Sequence, residues 1–191
     1  SWLTDKWIKL RLLKDPYVKQ IEEKIEFLRE FNPMLGHRGV RLGITDPEIT
    51  EMQTRAIIGA GCELVKEGIK VIPEIMIPVV AIDKELKDQE KSVKETAREV
   101  MESYGVSQEE LPWKFGTMIE LPSAARSAKE LAGIAEFISF GTNDLTQTTL
   151  GLSRDDSGKL LDLYASKGIM PENPFVTLHP TVYGLMEEAV I

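Results

Sequence analysis

An α/β fold with a parallel sheet is predicted by three features of the sequence. Short apolar runs alternate with longer amphipathic segments, which is the order expected when helices cross between parallel strands. Of the 191 residues, 42% are hydrophobic and 28% charged, as in an ordinary globular domain. Acidic and small polar residues directly follow the apolar runs, where strands of such a sheet end. We therefore expect a single α/β domain over residues 1–191.

The first two elements are a strand and a helix. The strand is predicted from Trp7 to Leu13, where apolar residues alternate with basic ones until Asp15-Pro16 ends the run. The helix is predicted from Tyr17 to Phe31, because isoleucine and leucine recur at helical spacing until Asn32-Pro33.

A second helix is predicted from Pro47 to Glu67, with Asp46 as its N-cap and Gly68 as its C-terminal stop. Cys62, the only cysteine, lies within it without a neighbouring histidine, which favours a buried structural thiol over a nucleophile. The residues predicted to face inward are Ile49, Met52, Ala56 and Ala60.

The rest of the chain continues the alternation and includes a long helix whose apolar residues recur at helical spacing. The predicted strands are Val71 to Val80, Phe115 to Leu121 and Phe137 to Gly141. The predicted helices are Lys84 to Tyr104, Pro122 to Ile134, Lys159 to Lys167 and Thr181 to Val190.

Charge and hydropathy exclude two classes of partner. The net charge is −8 and no run of Lys and Arg is present, so nucleic acid is not expected to bind. The longest apolar stretch, Ile69 to Ile82, contains charged residues and prolines and is shorter than the roughly 20 residues of a membrane span. The first residues do not resemble a signal peptide, so we expect a cytoplasmic protein.

Two acidic residues at strand ends form a candidate metal site. Glu120 closes one predicted strand, and Asp144 follows the next one. If these strands are neighbours, their axes lie about 4.8 Å apart, and both carboxylates can reach one Mg²⁺ or Mn²⁺ ion. The alternative is that Glu120 is a surface carboxylate and Asp144 an N-cap.

Two arginines are candidates for binding an anion. Arg38 stands with His37 between glycines, which let the backbone approach a ligand closely, and Arg11 lies in the first strand. If both arginines face the metal site, they could bind the phosphoryl group of a small phosphorylated acid. The alternative is that each arginine pairs with a carboxylate of the protein. His37 is interpreted as an orienting hydrogen-bond partner rather than a catalyst. The sequence contains neither a Walker loop nor a Gly-x-Gly-x-x-Gly loop, so it indicates no nucleotide site.

Four ordered motifs resemble the pyruvate/phosphoenolpyruvate-binding barrel of the pyruvate, phosphate dikinases, which belong to the PEP-utilising enzymes. They are Asn32-Pro-Met-Leu-Gly-His-Arg-Gly-Val-Arg-Leu-Gly43, Pro73-Glu-Ile-Met-Ile-Pro78, Gly116-Thr-Met-Ile-Glu120 and Phe140-Gly-Thr-Asn-Asp-Leu-Thr-Gln147. PEP synthase and Enzyme I share the barrel and remain alternatives. The Gly-His-Arg-Gly sequence and the stretch Ser153 to Leu160 favour the dikinases.

The resemblance implies a partial (β/α)₈ TIM barrel that binds phosphoenolpyruvate or pyruvate with Mg²⁺ and transfers a phosphoryl group between a phosphohistidine and the enolate of pyruvate. By this resemblance Glu120 and Asp144 are the metal ligands and also bind substrate. Arg11 and Arg38 are catalytic and bind the phosphoryl group. The residues that line the substrate site are Gly141, Thr142 and Asn143.

The sequence departs from the family in its extent. The resemblance implies about five of eight strands, truncation at both ends, and no counterpart of the family's Cys-Ser-Pro acid/base segment, phosphohistidine domain or ATP-grasp domain. We therefore expect an incomplete phosphotransferase that is inactive alone. A noncatalytic scaffold derived from the same barrel, which pairs its open sheet edges in a homo-oligomer, remains the alternative.

Overall fold

The structure is a computed structural model, and it describes residues 16–27 and 35–190. The chain divides into two compact units, Ser1–Gly36 and His37–Ile191. In the first unit, the helix predicted from Tyr17 is confirmed as α1, Pro16–Phe27. The predicted strand from Trp7 to Leu13, which includes Arg11, lies outside the described residues.

The second unit alternates strands and helices, as the sequence predicts. Its elements are α2 (Val40–Thr45), α3 (Pro47–Lys66), β1 (Glu74–Ile77), α4 (Asp83–Tyr104), β2 (Lys114–Ile119), α5 (Pro122–Arg126), α6 (Ala128–Ala132), β3 (Phe137–Phe140), α7 (Thr142–Leu150), α8 (Gly158–Ser166) and α9 (Pro180–Val190). None of the helices in the two described stretches combines the length and the apolarity that a bilayer span requires.

The three strands form one parallel sheet in the order β1-β2-β3. Ile77 pairs with Thr117, and Ile119 pairs with Phe140, so all three strands end at the same edge of the sheet. The predicted α/β class with a parallel sheet is confirmed: the described residues hold three strands in one sheet, and the partial barrel with about five strands stays a prediction. β1 is also shorter than predicted, because Pro73 and Pro78 flank it and lack the N–H of a ladder hydrogen bond.

One predicted helix is divided in the structure, and two helices of the structure, α2 and α7, are absent from the predicted elements. The segment predicted as one helix from Pro122 to Ile134 contains two short helices, α5 and α6, because the backbone at Ser127 leaves the helical conformation with φ −102° and ψ 20°. The predicted third strand ends at Gly141, and no element is predicted from Thr142 to Leu150, where the structure has α7.

The buried face of α3 differs from the predicted one. Met52 is 61% exposed, and Ala56 and Ala60 are also exposed. The buried residues of this helix are instead Thr50, Thr54, Ile58, Gly59, Gly61 and Cys62. The reason is steric: a Cβ at Gly61 would lie 3.0 Å from Leu111 and 3.2 Å from Pro73, so the helix packs through its small residues rather than through its methionine. The burial of Cys62 is confirmed.

The core lies between the sheet and the α3–α4 helix pair. The inward face predicted for the long helix is confirmed in α4, which buries leucine, valine and alanine at helical spacing and ends at Gly105 with φ +64°. Phe115 and Ile119 bring β2 into the same core. β2 is therefore the central strand and is buried in the core, and Glu120 follows it directly.

Candidate functional site

The carboxyl ends of the strands bring together three segments that are distant in the chain. Beyond β2 and β3, the N–H of Gly141 donates a hydrogen bond to the carbonyl oxygen of Ile119 at 3.0 Å, so Glu120 and Gly141 lie side by side. Beyond β1, the backbone N–H of Val79 donates to Oε1 of Glu120. Glu120 therefore lies between the end of β1 and the end of β3.

Glu120 is a buried acid, with only 3% of the residue exposed. Burial raises its pKa because the charged form loses hydration, whereas the hydrogen bond from Val79 N–H acts in the opposite direction. The charge of Asp144 and a hydrogen bond with it raise the pKa of Glu120 further, and Arg38 lowers it. Glu120, Asp144 and Arg38 therefore lie close together at this edge of the sheet.

Asp144 lies in the first turn of α7 and forms an ion pair with Arg38. Nη2 of Arg38 donates a hydrogen bond of 2.7 Å to Oδ1 of Asp144, across 106 residues of sequence. The side chains are 36% and 15% exposed, so the pair is partly withdrawn from solvent. A charge-assisted hydrogen bond in such surroundings is stronger than one at an open surface.

The loop that carries Arg38 reaches the site because Gly39 fits tightly against the end of β1. Gly39 has φ +56°, and a Cβ there would lie 2.7 Å from the carbonyl oxygen of Pro78. The next residue, Val40, donates its N–H to that same carbonyl oxygen at 2.9 Å. The glycine after Arg38, expected from the sequence to allow close approach to a ligand, thus allows close approach to the protein's own strand end.

Gly141 leaves the space that the carboxylate of Glu120 occupies. A Cβ on Gly141 would lie 2.6 Å from Oε2 of Glu120 and 2.6 Å from the sulfur of Met118. The resemblance implies that Gly141 lines a substrate site, and the structure gives it this contact with the candidate metal ligand. Its φ of −88° is open to any residue, so the requirement for glycine is steric.

Thr142 and Asn143 are exposed residues of the first turn of α7. With Thr146 and the segment from Pro174 to Leu178 they line a cavity of about 160 Å³. N–H groups in the first turn of a helix lack intrahelical acceptors and favour anions. No motif marks the segment from Pro174 to Leu178, so the sequence does not predict its position beside α7.

His37 lies beside Arg38 in sequence but is directed elsewhere. Its Nε2 hydrogen-bonds to Oγ1 of Thr45, and it lies 3.9 Å from the carboxylate of Asp46. Asp46 precedes α3 as predicted, but its side chain makes no capping hydrogen bond and accepts one from Thr45 instead. The interpretation of His37 as an orienting hydrogen-bond partner stays a prediction.

The donor set at this edge fits a hard divalent cation in part. Glu120 and Asp144 offer carboxylate oxygens, which Mg²⁺ prefers, and the ion commonly takes its other ligands from water and substrate. In residues 16–27 and 35–190, no group of three or more His, Cys, Asp or Glu side chains is arranged to hold a metal ion. A metal here would therefore depend on two protein ligands and on an anionic substrate.

The family described as "PEP-utilising enzyme, PEP-binding domain" matches residues 1–190. The chain belongs to this family. It is 47% identical over 173 residues to the pyruvate, phosphate dikinase of Giardia intestinalis, and the match covers 91% of this chain and 19% of the relative. It is 53% identical over 159 residues to the chloroplastic enzyme of Mesembryanthemum crystallinum (83% and 16%) and 48% identical over 173 residues to the enzyme of Clostridium symbiosum (90% and 20%).

The structure describes all but one of the predicted site residues. The chain spans no more than about a fifth of the length of these relatives, so it matches only one part of each of them. Within that part, the structure brings Arg38, Glu120, Gly141 and Asp144 together, with Thr142 and Asn143 beside them. Arg11 lies outside the described residues, and its role stays a prediction.

Proposed function

We propose that the chain is the phosphoenolpyruvate- and pyruvate-binding part of a pyruvate, phosphate dikinase, and that Glu120 and Asp144 hold Mg²⁺ there. The observation that carries this proposal is the meeting of Glu120, Asp144 and Arg38 at one edge of the sheet. Two acids and a guanidinium drawn from distant segments are the groups needed to hold a divalent cation and an anionic phosphoryl group. Membership of the PEP-binding domain family supports the assignment of the substrate.

The proposed reaction is phosphoryl transfer between a phosphohistidine and the enolate of pyruvate. In the direction of phosphoenolpyruvate synthesis, the N–P bond breaks, the enolate oxygen forms the new P–O bond, and the histidine nitrogen retains the electron pair. Arg38, and Arg11 by the family resemblance, would bind the phosphoryl oxygens and offset their charge in the transition state. The first turn of α7, with Thr142 and Asn143, would orient the substrate.

Bound Mg²⁺ would stabilise the negative charge of the enolate oxygen. Glu120 and Asp144 would hold the ion, and Gly141 would keep the space for the Glu120 carboxylate. The phosphohistidine and ATP-grasp domains of a whole dikinase are the proposed partners. The family's Cys-Ser-Pro segment, which moves the methyl proton, has no counterpart in this sequence. Binding without turnover is thus the activity proposed for these 191 residues alone.

Calorimetry with oxalate tests the proposal, because oxalate is a dianion that mimics the enolate of pyruvate. We expect oxalate to bind in the presence of Mg²⁺ and not in the presence of EDTA. Glu120→Gln removes a proposed metal ligand while its amide oxygen can still accept the hydrogen bond from Val79. We expect this variant to lose about tenfold or more in affinity, which corresponds to about 1.4 kcal/mol.

Glu136→Gln is the matched control. Glu136 also accepts a backbone N–H at a strand end, from Phe115 at 2.8 Å, but at the opposite edge of the sheet. We expect this variant to bind oxalate as the unmodified chain does. Binding that ignores Mg²⁺, or an equal loss in both variants, would contradict the proposal.

A noncatalytic interaction domain is the second candidate, favoured by the open sheet. Within the described residues, β1 and β3 each pair with β2 alone, so each has an outer edge available to another strand. This alternative requires an oligomer whose size in gel filtration is the same with Mg²⁺ and with EDTA, and calorimetry with no oxalate binding.

A further inference from the structure

Val79 has a backbone conformation that its side chain disfavours. Its φ is +63°, and no other non-glycine residue in the described parts of the chain has a positive φ. For a β-branched residue this conformation is a genuine outlier, because Cβ crowds the neighbouring carbonyl oxygen. Such strain persists only where the surrounding structure holds it, and it is concentrated at functional sites.

The conformation of Val79 connects two parts of the candidate site. Its N–H donates to Oε1 of Glu120, across 41 residues of sequence. Its buried side chain packs against Gly39, where a Cβ would lie 2.8 Å from Cγ2 of Val79. On the other side of Gly39, Val40 is fixed by its hydrogen bond to the carbonyl oxygen of Pro78.

The dipeptide Pro78-Val79 therefore contacts both Glu120 and the loop that carries Arg38. Glu120 receives a hydrogen bond that fixes one carboxylate oxygen, which leaves Oε2 directed to Gly141. The loop that carries Arg38 is held at the distance at which its guanidinium reaches Asp144. Neither contact needs a valine for its chemistry, but both need a fixed backbone between them.

We propose that Val79 is a positioning residue: its left-handed backbone, held by the packing of its side chain against Gly39, fixes the Glu120 carboxylate relative to the Arg38 loop. This inference rests on the proposed function, since it concerns how the same site is held in a binding geometry. Residues that orient metal ligands from behind commonly change metal affinity about 10- to 100-fold when they are removed.

The test combines amide hydrogen exchange, which needs no ligand, with oxalate binding in the presence of Mg²⁺. Val79→Gly keeps the N–H and permits φ +63° without strain, but it removes the packing that holds the backbone there. Val80→Ala is the control, because Val80 is adjacent and fully buried but its φ is not positive. Exchange at the amides of positions 40 and 79 is compared relative to the intrinsic rate of the same sequence in an unstructured chain.

We expect Val79→Gly to speed exchange at both amides about tenfold or more and to weaken oxalate binding by about 10- to 100-fold. We expect Val80→Ala to lower the thermal midpoint yet to leave both readouts within about twofold of the unmodified chain. Val79→Ala, which also removes the methyl groups that pack on Gly39, is expected to give the same losses and serves if Val79→Gly fails to fold.

Unchanged exchange in the Val79 variants, or equal effects in Val80→Ala, would overturn the positioning role while the proposed function stands. If the unmodified chain binds no oxalate, the proposed function fails, and the exchange data alone decide the role of Val79. Faster exchange at positions 40 and 79 would then still support the positioning role of Val79.

Discussion

Gly141→Ala should disturb the candidate site by inserting one methyl group beside Glu120. The new Cβ would lie 2.6 Å from Oε2 of Glu120 and 2.6 Å from the sulfur of Met118, whereas ordinary contacts begin at 3.4 Å. Either these atoms or the backbone must therefore move by roughly 0.8 Å. Overpacking of this kind typically costs about 1–3 kcal/mol. For a chain of this size the thermal midpoint then falls by about 2–12 °C.

Gly158→Ala is the control for this substitution. Gly158 begins α8, and a Cβ there would meet nothing within 4 Å. Alanine favours helix over glycine by up to about 1 kcal/mol, so we expect no loss and a small gain in stability. Thermal unfolding followed by circular dichroism measures both variants. The steric reasoning is wrong if Gly141→Ala is as stable as the unmodified chain.

Three further outcomes are expected from the same structure. Arg38→Ala should lower the free energy of unfolding in urea by about 1–3 kcal/mol, because it removes the guanidinium that pairs with Asp144 beside Glu120. Arg126→Ala breaks an exposed ion pair and should lower it by at most about 1 kcal/mol. An equal loss in both variants would contradict the importance of the Arg38 pair. In EDTA, Glu120→Gln should flatten the dependence of stability on pH. The raised pKa of Glu120 means that the native state binds its proton more tightly than the unfolded chain does, so the unmodified chain loses stability as pH rises from the ordinary carboxyl pKa to the raised one. The loss is about 1.36 kcal/mol for every pH unit between the unfolded-state and native-state pKa values. Urea titrations between about pH 4 and pH 8 measure this effect, and parallel curves for the two proteins would refute it. Cys62 is fully buried, and burial raises the pKa of its thiol. A thiol reagent should therefore modify Cys62 only at the rate of unfolding. Rapid modification in the native state would show that α3 packs differently.

The acidic pair illustrates what a sequence can reveal about a site. Glu120 and Asp144 are predicted to meet because both follow apolar strands one repeat apart, and parallel strands end at a common edge. The pairing of Arg38 with Asp144 depends on where a loop folds back. The sequence indicates only that an arginine can pair with some carboxylate, not with which one. Position along strands is therefore more informative than residue type.

The errors arise where tertiary contacts override local pattern. Met52 has the helical spacing of a core residue, but Gly61 on another face of α3 allows that face to approach Leu111 and Pro73 closely. The left-handed conformation of Val79 has no local signature, because valine disfavours it and its contacts with Glu120 and Gly39 come from distant segments. Features held by distant partners are not predictable from neighbouring residues.

Paramagnetic broadening by Mn²⁺ in the presence of oxalate is the most direct test of where a cation binds. Mn²⁺ replaces Mg²⁺ at carboxylate sites and broadens the amide signals close to it, and the two edges of the sheet are about 20 Å apart along the six residues of β2. We expect the amides of Val79 and Gly141 to be lost while those of Lys114 and Glu136 remain sharp. Broadening that is uniform, or that is strongest at Lys114 and Glu136, would contradict a metal site at Glu120 and Asp144.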